Sequence, residues 1–537
     1  MTTLAPLLSV PTYVTPTSSS SASSSSSMAA ATSTSAAAPS ASTTTSLGQG
    51  ASPALSLYSS SGLMDGTSSP PRAIWEAAQT DTISTRMLAG ASAGDLGTRW
   101  KGLGRALVDQ ATLLGTGNTA YAQSMLVSDQ ARQGSSGVQA ILRDQLHRFG
   151  SDAVSLSVTT ASGAKVELSL SANGDGVAVD ARLTEGKLTD DERAALGQLG
   201  DAFEAVVQGL AAQPPKLSLG GLMQFDSSQL ASIDLKASLS GGTSVQFHAD
   251  ASQRSVALSN TAGSMKVQVE AGKDAVTGSA EQRQRAIANY LQQFDSAADR
   301  GHADGALTTL FKDAFSQLNG SARSAGAASV GPAPLLSASS DDRSMLSGLA
   351  DFTASITGAT STPNPLRHDE VDGFDYQVSQ QTTLSGNSQA DRGILQRSSS
   401  SLKASYHESL QADLPLRLDT SRQSQNYTYH QIDDQASSQV DIGYRLGYLV
   451  RARVSQSASQ DTRVSKYVMG DLVSSTHTPL QAQIVRDFAA QLQDDRDGRA
   501  AEGATRRRQA LEQVGTLGLL QSDPATVRAH GTQLVGL

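Results

Sequence analysis

Gly90-Ala91-Ser92-Ala93-Gly94 has the spacing of a nucleophile elbow, where a strained strand-to-helix turn lifts a serine hydroxyl toward a general base. Thr82–Leu88 reads as a poor buried strand, and no histidine, His147 included, stands out as the partner. A hydrolase acting through Ser92 is therefore the enzymatic alternative and not the leading expectation. Gly115-Thr116-Gly117-Asn118-Thr119-Ala120 fits the loose dinucleotide pattern, which needs a strand before the first glycine and a helix after it. The residues before Gly115 have helical spacing, and the nearest acids are Asp129 and Asp144, so the phosphate-cradling context is missing. Asn173-Gly174-Asp175-Gly176 lacks the alternating oxygen ligands of a calcium loop, since Val177 and Ala178 follow, and it reads as a hairpin turn.

The histidines are His147, His248, His302, His368, His407, His430, His477 and His530, and no two have the i, i+4 spacing of a helical metal site. His248 falls on the polar face of its strand, opposite Val245 and Phe247. His407 and His430 each lie beside tyrosines, with Glu408 and Asp433 near enough in sequence to join them. Residues 368–475 also hold Tyr376, Tyr406, Tyr427, Tyr429, Tyr444, Tyr448 and Tyr467. Aromatic rings displayed on a sheet can stack a sugar or receive a partner strand. The candidate binding surface is thus Tyr406, His407, Tyr427, Tyr429, His430, Tyr444 and Tyr448, with a protein or glycan as partner. The alternative is that the tyrosines are the core of a thinly apolar region. No residue is assigned to catalysis, to a cofactor or to a metal, and no cofactor is expected.

The elements that would position these residues follow from periodicity. Residues 1–64 carry no Lys, Arg, Asp or Glu and are mostly Ser, Ala and Thr. Ordering that stretch would cost on the order of 60–130 kcal/mol of backbone entropy, which its few leucines do not offset, so residues 1–70 read as a disordered leader. Residues 73–148 read as helical, with Ala106, Leu107, Ala111 and Leu114 on one face. Residues 151–320 read as an α+β domain, an antiparallel sheet covered by helices. Its strands carry Val154-Leu156-Val158, Val166-Leu168-Leu170 and Val177-Val179-Ala181-Leu183, then a second set from Ile233 to Val269. Thr189 and Glu192 make a capping box at the start of a helix with the stripe Leu196, Leu199, Phe203, Val206, Val207 and Leu210. Residues 321–366 read as a linker and 368–475 as a Tyr-rich antiparallel β region. The clearest strand of that region places Ile442, Tyr444, Leu446, Tyr448, Val450, Ala452 and Val454 on one face, with Leu449 as an exception on the other. Residues 480–537 read as C-terminal helices.

Composition narrows the function classes. A formal charge of −9 and the lack of a basic stripe argue against nucleic acid as a partner. The chain has no cysteine, which removes disulfides and thiol chemistry. No run approaches the ~20 apolar residues of a membrane helix, and the N-terminus lacks the positive region of a standard secretory signal. The leader has two readings: an uncleaved address for a secretion machine that threads unfolded chains, or a low-complexity linker with no addressing role.

Four stretches taken together carry a resemblance: Gly186–Arg193 (GKLTDDER), Met223–Ser228 (MQFDSS), Gln293-Phe294-Asp295 and Leu310–Phe315 (LFKDAF). They resemble a group of uncharacterised proteins from Pseudomonas-like bacteria, over the Ser-rich front and about residues 75–320, and more weakly beyond. Members of that group are sometimes labelled lactate dehydrogenase. The label implies NAD, a parallel nucleotide-binding sheet and an Arg/His/Asp set for a 2-hydroxy acid, and neither the sheet nor the set is visible in these residues. The resemblance therefore contributes a bacterial setting and no active site. The expectation is a non-enzymatic structural or binding protein, with the Ser92 hydrolase or an NAD-dependent dehydrogenase as the alternative.

Overall fold

Alternating apolar and polar residues build most of the molecule into one sheet. The computed structural model describes residues 73–532, apart from 79, 116–118, 271–276, 321–335, 412–413 and 495–500. The leader expected over 1–70 lies outside the described residues, as do Thr116–Asn118 of the glycine motif. Strand β1 (Ile74–Trp75) leads into helices α1 (Thr82–Gly90), α2 (Leu96–Trp100) and α3 (Leu103–Thr112), then β2 (Ala120–Leu126), α4 (Asp129–Gln133) and α5 (Ser136–Phe149). The meander β3 (Asp152–Thr160), β4 (Lys165–Ala172) and β5 (Gly176–Glu185) follows, with α6 (Asp190–Gln198) and α7 (Gly200–Ala211) after it. Strands β6 (Leu230–Leu239), β7 (Thr243–Asp250), β8 (Gln253–Asn260) and β9 (Gly263–Glu270) precede α8 (Ala280–Gly301) and α9 (Gly305–Gly320). Next come α10 (Ser340–Ser344), β10 (Phe352–Gly358), β11 (Gly373–Ser385), β12 (Gly393–Ser409), β13 (Tyr427–Arg445), β14 (Tyr448–Val468) and β15 (Asp471–Asp487). Helices α11 (Ala489–Asp494), α12 (Ala501–Leu517) and α13 (Pro524–Thr532) close the chain.

All the strands join a single 15-stranded sheet in the order β1-β2-β5-β4-β3-β6-β7-β8-β9-β10-β11-β12-β13-β14-β15. Every neighbouring pair is antiparallel. One face carries the apolar residues of β3 to β11 and packs with the stripes of α3, α6, α7, α8 and α9 in the main core. The capping box holds α6 as expected: Thr189 Oγ1 accepts from the Glu192 N–H at 3.2 Å, and Glu192 accepts from the Thr189 N–H at 2.9 Å. Burial would raise the Glu192 carboxyl, but the Thr189 and Ser162 hydrogen bonds outweigh it and bring it down to about 2.

Helix α8 packs across strands β10 to β13 and against α9. Phe294 lies 5.0 Å from Phe315 and 5.8 Å from Tyr376, and Tyr290 lies 5.0 Å from Phe352, all between ring centroids. Such edge-to-face pairs add about 0.5–1.5 kcal/mol each beyond the area they bury. At the C-terminal end of α8, Arg300 donates to both carboxylate oxygens of Asp434, at 2.6 and 2.9 Å. From β11 on, the inward face mixes a second apolar cluster, Ile394, Val440, Ile442, Leu449 and Val454 against Phe488 and Val514, with polar side chains that bond loop backbones. Gln380 donates to Leu349 O, Ser438 to Gly518 O, and Gln456 to Leu519 O.

Several expectations need correction. The stretch 73–148, read as helical, contains β1 and β2; residues Gln123–Leu126 are buried on both faces, which erases the period of two. The linker 321–366 contains β10, hydrogen-bonded between β9 and β11. The C-terminal region 480–537 begins as strand, because β15 runs to Asp487 with Ala482 and Ile484 packed inward. The strand drawn through Ile442–Val454 is a hairpin: Leu446 and Gly447 both take positive φ, 51° and 80°, as a two-residue turn requires. The sheet is broader than a helix-covered layer, since α5 lies on its second face and β9 to β15 form an open hollow there.

The outer edges are short or blunted. β1 has two residues. In β15, the Phe488 N–H donates to Ala452 O, so odd-numbered residues from 475 to 487 point their backbone groups away from β14. Pro479 is among them and has no N–H, and Gln481 O accepts from Arg528 at 2.8 Å. A bulge between Lys466 and Tyr467 leaves Val473 out of register.

Candidate binding surface

Two rows of small neutral side chains cross the second face. Ser355, Gln377, Ser401, Gln435, Ser459 and Gln481 are successive register partners from β10 to β15. One step along the strands, Thr353, Ser379, Ser399, Ser437, Ser457 and Gln483 form the second row. Together they line a trough of about 1140 Å³ that reaches Lys266 on β9. Strands sit about 4.8 Å apart, so seven of them span roughly 29 Å of surface along the sheet. The trough also touches Ala354, Ser400, Ala436, Ala458 and Ala482, whose side chains face the other way. Their main chain is therefore reachable, because the serines between them are too short to cover it.

The hydroxyls are held across the strands. Ser379 and Ser399 pair at 3.2 Å, and Ser437 and Ser457 at 2.8 Å. Charge stands at the margins: Asp375, Lys403, Asp433 and Asp461 form the next row on one side, and Arg397 lies on the other. Among the described residues, no group of three His, Cys, Asp or Glu side chains is placed to hold a metal ion.

The structure distributes the sequence-derived candidates over three places. Tyr406 and His430 lie on the core-facing side, stacked at 4.6 Å, with His302 against the other face of Tyr406 at 4.2 Å. Glu408 joins His430 at 3.1 Å, but burial outweighs it and lowers the imidazole below its ordinary value. His407, Tyr427 and Tyr429 point to the opposite side, since β12 and β13 alternate. There His407 bridges Asp372 at 2.6 Å and Glu370 at 3.1 Å, and Tyr427 donates to Glu370 at 2.7 Å. Burial, then Glu370, pushes the Tyr427 hydroxyl up. These contacts pin residues 364–372 over a small cluster of Tyr427, Tyr429 and Tyr467. Tyr444 is at the hairpin end, with Arg392 3.7 Å over its ring and its hydroxyl 2.6 Å from Asp342; Tyr448, beyond the turn, is exposed. The seven residues therefore do not make one surface, and most of these rings are engaged by their own chain.

Ser92 is exposed in a turn between two helices, not at a strand-to-helix elbow. Gly115 follows α3 with φ 85°, and the described sheet around it is antiparallel. The Ser/Gln rows themselves were missed in the sequence. Their signal was present as alternate positions of β12 to β14, where Ser and Gln recur with a period of two. The chain has no match among protein-family models, curated proteins or solved structures. Among the described residues, no helix is long and apolar enough to cross a membrane.

Proposed function

We propose that the chain is a binding protein that holds an unbranched, neutral carbohydrate along the Ser/Thr/Gln trough of β10 to β15. The observation that carries this reading is the alignment of the two rows: twelve register-matched positions without a charge or a bulky side chain among them. Sugar hydroxyls both donate and accept, as do Ser, Thr and Gln side chains. A single such hydrogen bond contributes only about 0.5–1.5 kcal/mol net, so useful affinity needs many of them at once, which suits an extended ligand on an extended surface. A neutral polymer also brings no charge that the trough would have to desolvate unpaired.

Calorimetric titration with neutral oligosaccharides of increasing length tests the proposal. Affinity is expected to climb with length, and the triple variant Gln377→Ala, Gln435→Ala, Gln481→Ala is expected to lose at least tenfold. Absence of saturable binding by any neutral oligosaccharide would overturn it. Export is the companion proposal, supported by the charge-free first 64 residues. Fractionation of cells expressing the chain with and without residues 2–30 tests it, and leader-independent retention in the cytosol would discard it.

A further inference from the structure

Helix α5 stands over a second hollow on the same face, of about 990 Å³, on β3 to β6. Its floor is Ser155, Ser157 and Ser169, which are small enough to leave space between helix and sheet. The charged side chains around that floor balance. Asp144 pairs with Arg148 at 2.8 Å, Glu167 with Lys165 at 2.8 Å, and Asp180 with Arg182 at 3.0 Å. Glu76 and Asp180 flank His147 at 2.8 and 2.7 Å, and Asp234 contacts His248 at 2.8 Å. Arg143 and Lys236 complete the lining, so that, apart from the His147 imidazole, five carboxylates meet five cations. A charged ligand would have to break these pairs or bury a charge unpaired. A neutral one can add hydrogen bonds at carboxylate lone pairs that the ion pairs leave free, since an ionised carboxylate offers about four acceptor sites. The hollow therefore suits the same class of ligand as the trough.

Register joins the two. Ser155, Lys236, Gln246, Ala257, Lys266 and Ser355 are successive partners from β3 to β10, and so are Ser157, Asp234, His248, Ser255, Gln268 and Thr353. The first line runs on into the trough row of Gln377, the second into that of Ser379. Only β7 and β8 lie between the two cavity linings. Three spacings of about 4.8 Å separate β6 from β9, roughly 14 Å in all. On those four strands every residue of both lines is exposed or half-buried. His248 is held between Asp234 at 2.8 Å and Asp250 at 3.2 Å, and Ala257 leaves a dip between Gln246 and Lys266.

We propose that the hollow and the trough are subsites of one track, and that a single unbranched neutral oligosaccharide runs from the trough over β9, β8 and β7 into the hollow, where α5 stops it and its last unit rests on the serine floor. The inference rests on the carbohydrate reading of the trough and lengthens the ligand. From Ser169 on β4 to β15 is eleven strand spacings, roughly 53 Å and nearly twice the trough alone. Neighbouring strands are turned by about 20–25°, so the track curves, and a chain without branches can bend along it. Holding two segments of one chain makes the second contact intramolecular, which raises affinity by about 10²–10⁴ where length and span match.

Linear malto-, xylo- and manno-oligosaccharides, in lengths that just span the trough and in lengths about twice that, are the probes for titration of the full chain. In at least one series the longer ligand is expected to bind at least tenfold tighter than the shorter. Ala257→Trp raises a barrier midway along the track, and Ser155→Trp fills the floor of the hollow. Each should bring the longer ligand back to the affinity of the shorter one. Each should leave the shorter one unchanged, which also reports an intact fold. Affinity that levels off once the trough is spanned, or a gain that survives either substitution, would overturn the track and leave the trough reading standing. Absence of saturable binding at both lengths would overturn the two together.

Discussion

The trough over β9 to β15 and the hollow under α5 share one face of one sheet, and even one register row. Asp180, Ser169, Ser155, Lys236, Gln246, Ala257 and Lys266 lead across β5 to β9 directly into Ser355 and Gln377. Both have serine floors. They differ in what stands beside the serines: ion pairs and a helical roof at one end, amides and open space at the other. The comparison teaches that short hydroxylated side chains open a sheet face, while the neighbouring rows and the roof decide the shape of what can enter. The roof is held by Leu142 and Leu146 against Leu126 and Ala178 and by His147 between Asp180 and Glu76, whereas the trough has no roof to fasten.

The broadest way to break this comparison is to disturb the aromatic cluster where α8 and α9 meet β10 and β11, between the two hollows. Phe294→Ala removes the centre of the aromatic cluster and should cost about 3–5 kcal/mol, read by denaturant unfolding. A single shared transition is expected; two separate transitions would show that the ends fold apart and that the common face is incidental.

Next in size is the fastening of the roof. Asp180→Asn strips His147 of one carboxylate and should cost about 1–3 kcal/mol, with faster amide exchange in α5 and none in β12 or β13. The same clamp gives a pH window. Burial opposes the His147 charge, but Asp180 and Glu76 outweigh it and raise the imidazole above 6.5; burial opposes the Asp180 charge too, but His147 and Arg182 outweigh it and hold it below 3.8. The His147 contribution is complete below its unfolded value and is lost as pH rises through the raised one. The Asp180 contribution is complete above its unfolded value and is lost as pH falls through the lowered one. Protection of α5 should therefore be greatest between about 3.8 and 6.5 and fall on both sides. The trough lining has no histidine and should show no alkaline limb. Equal pH dependence at both ends would sink the contrast.

A smaller effect is expected from filling the trough. Ser437→Trp should leave stability within about 0.5 kcal/mol and abolish oligosaccharide binding. The smallest concerns the hairpin that ends β13. Leu446 holds φ 51° without being Gly, Asn or Asp, so Leu446→Asn should stabilise by about 0.5–1 kcal/mol, measured as a shift of the unfolding midpoint.

Sequence patterning reached the regular part of the sheet and stopped where burial was two-sided or polar. The strands β3 to β9 and the α6 cap were legible because Val, Leu and Ile alternate there with Ser, Asp or Lys over a clean single-faced core. β2 was hidden because Gln123, Ser124, Met125 and Leu126 are all buried. The hairpin at Leu446-Gly447 was hidden because the even-numbered residues on both sides of it are apolar or aromatic. Leu449 was the clue: its burial at 5%, beside Tyr448 at 67%, follows from the turn resetting which side faces inward. The tyrosine grouping failed for the same reason that strands work, since neighbours such as Tyr406 and His407 must point to opposite sides. The trough was invisible because its residues are individually unremarkable and acquire meaning only through register.

Pro479, the bulge at Val473 and the Arg528 contact on Gln481 also bear on how this molecule behaves in company. A long open sheet is a template on which further chains can add, and repeated addition is how fibrils grow. Between Val473 and Gln481, an arriving strand would find complete donor–acceptor pairs only at Ser475 and His477, and at the far end a ledge two residues wide. Polymerisation has no foothold on that stretch, so the protein can stay discrete when crowded, and traffic with other molecules is directed to its broad face.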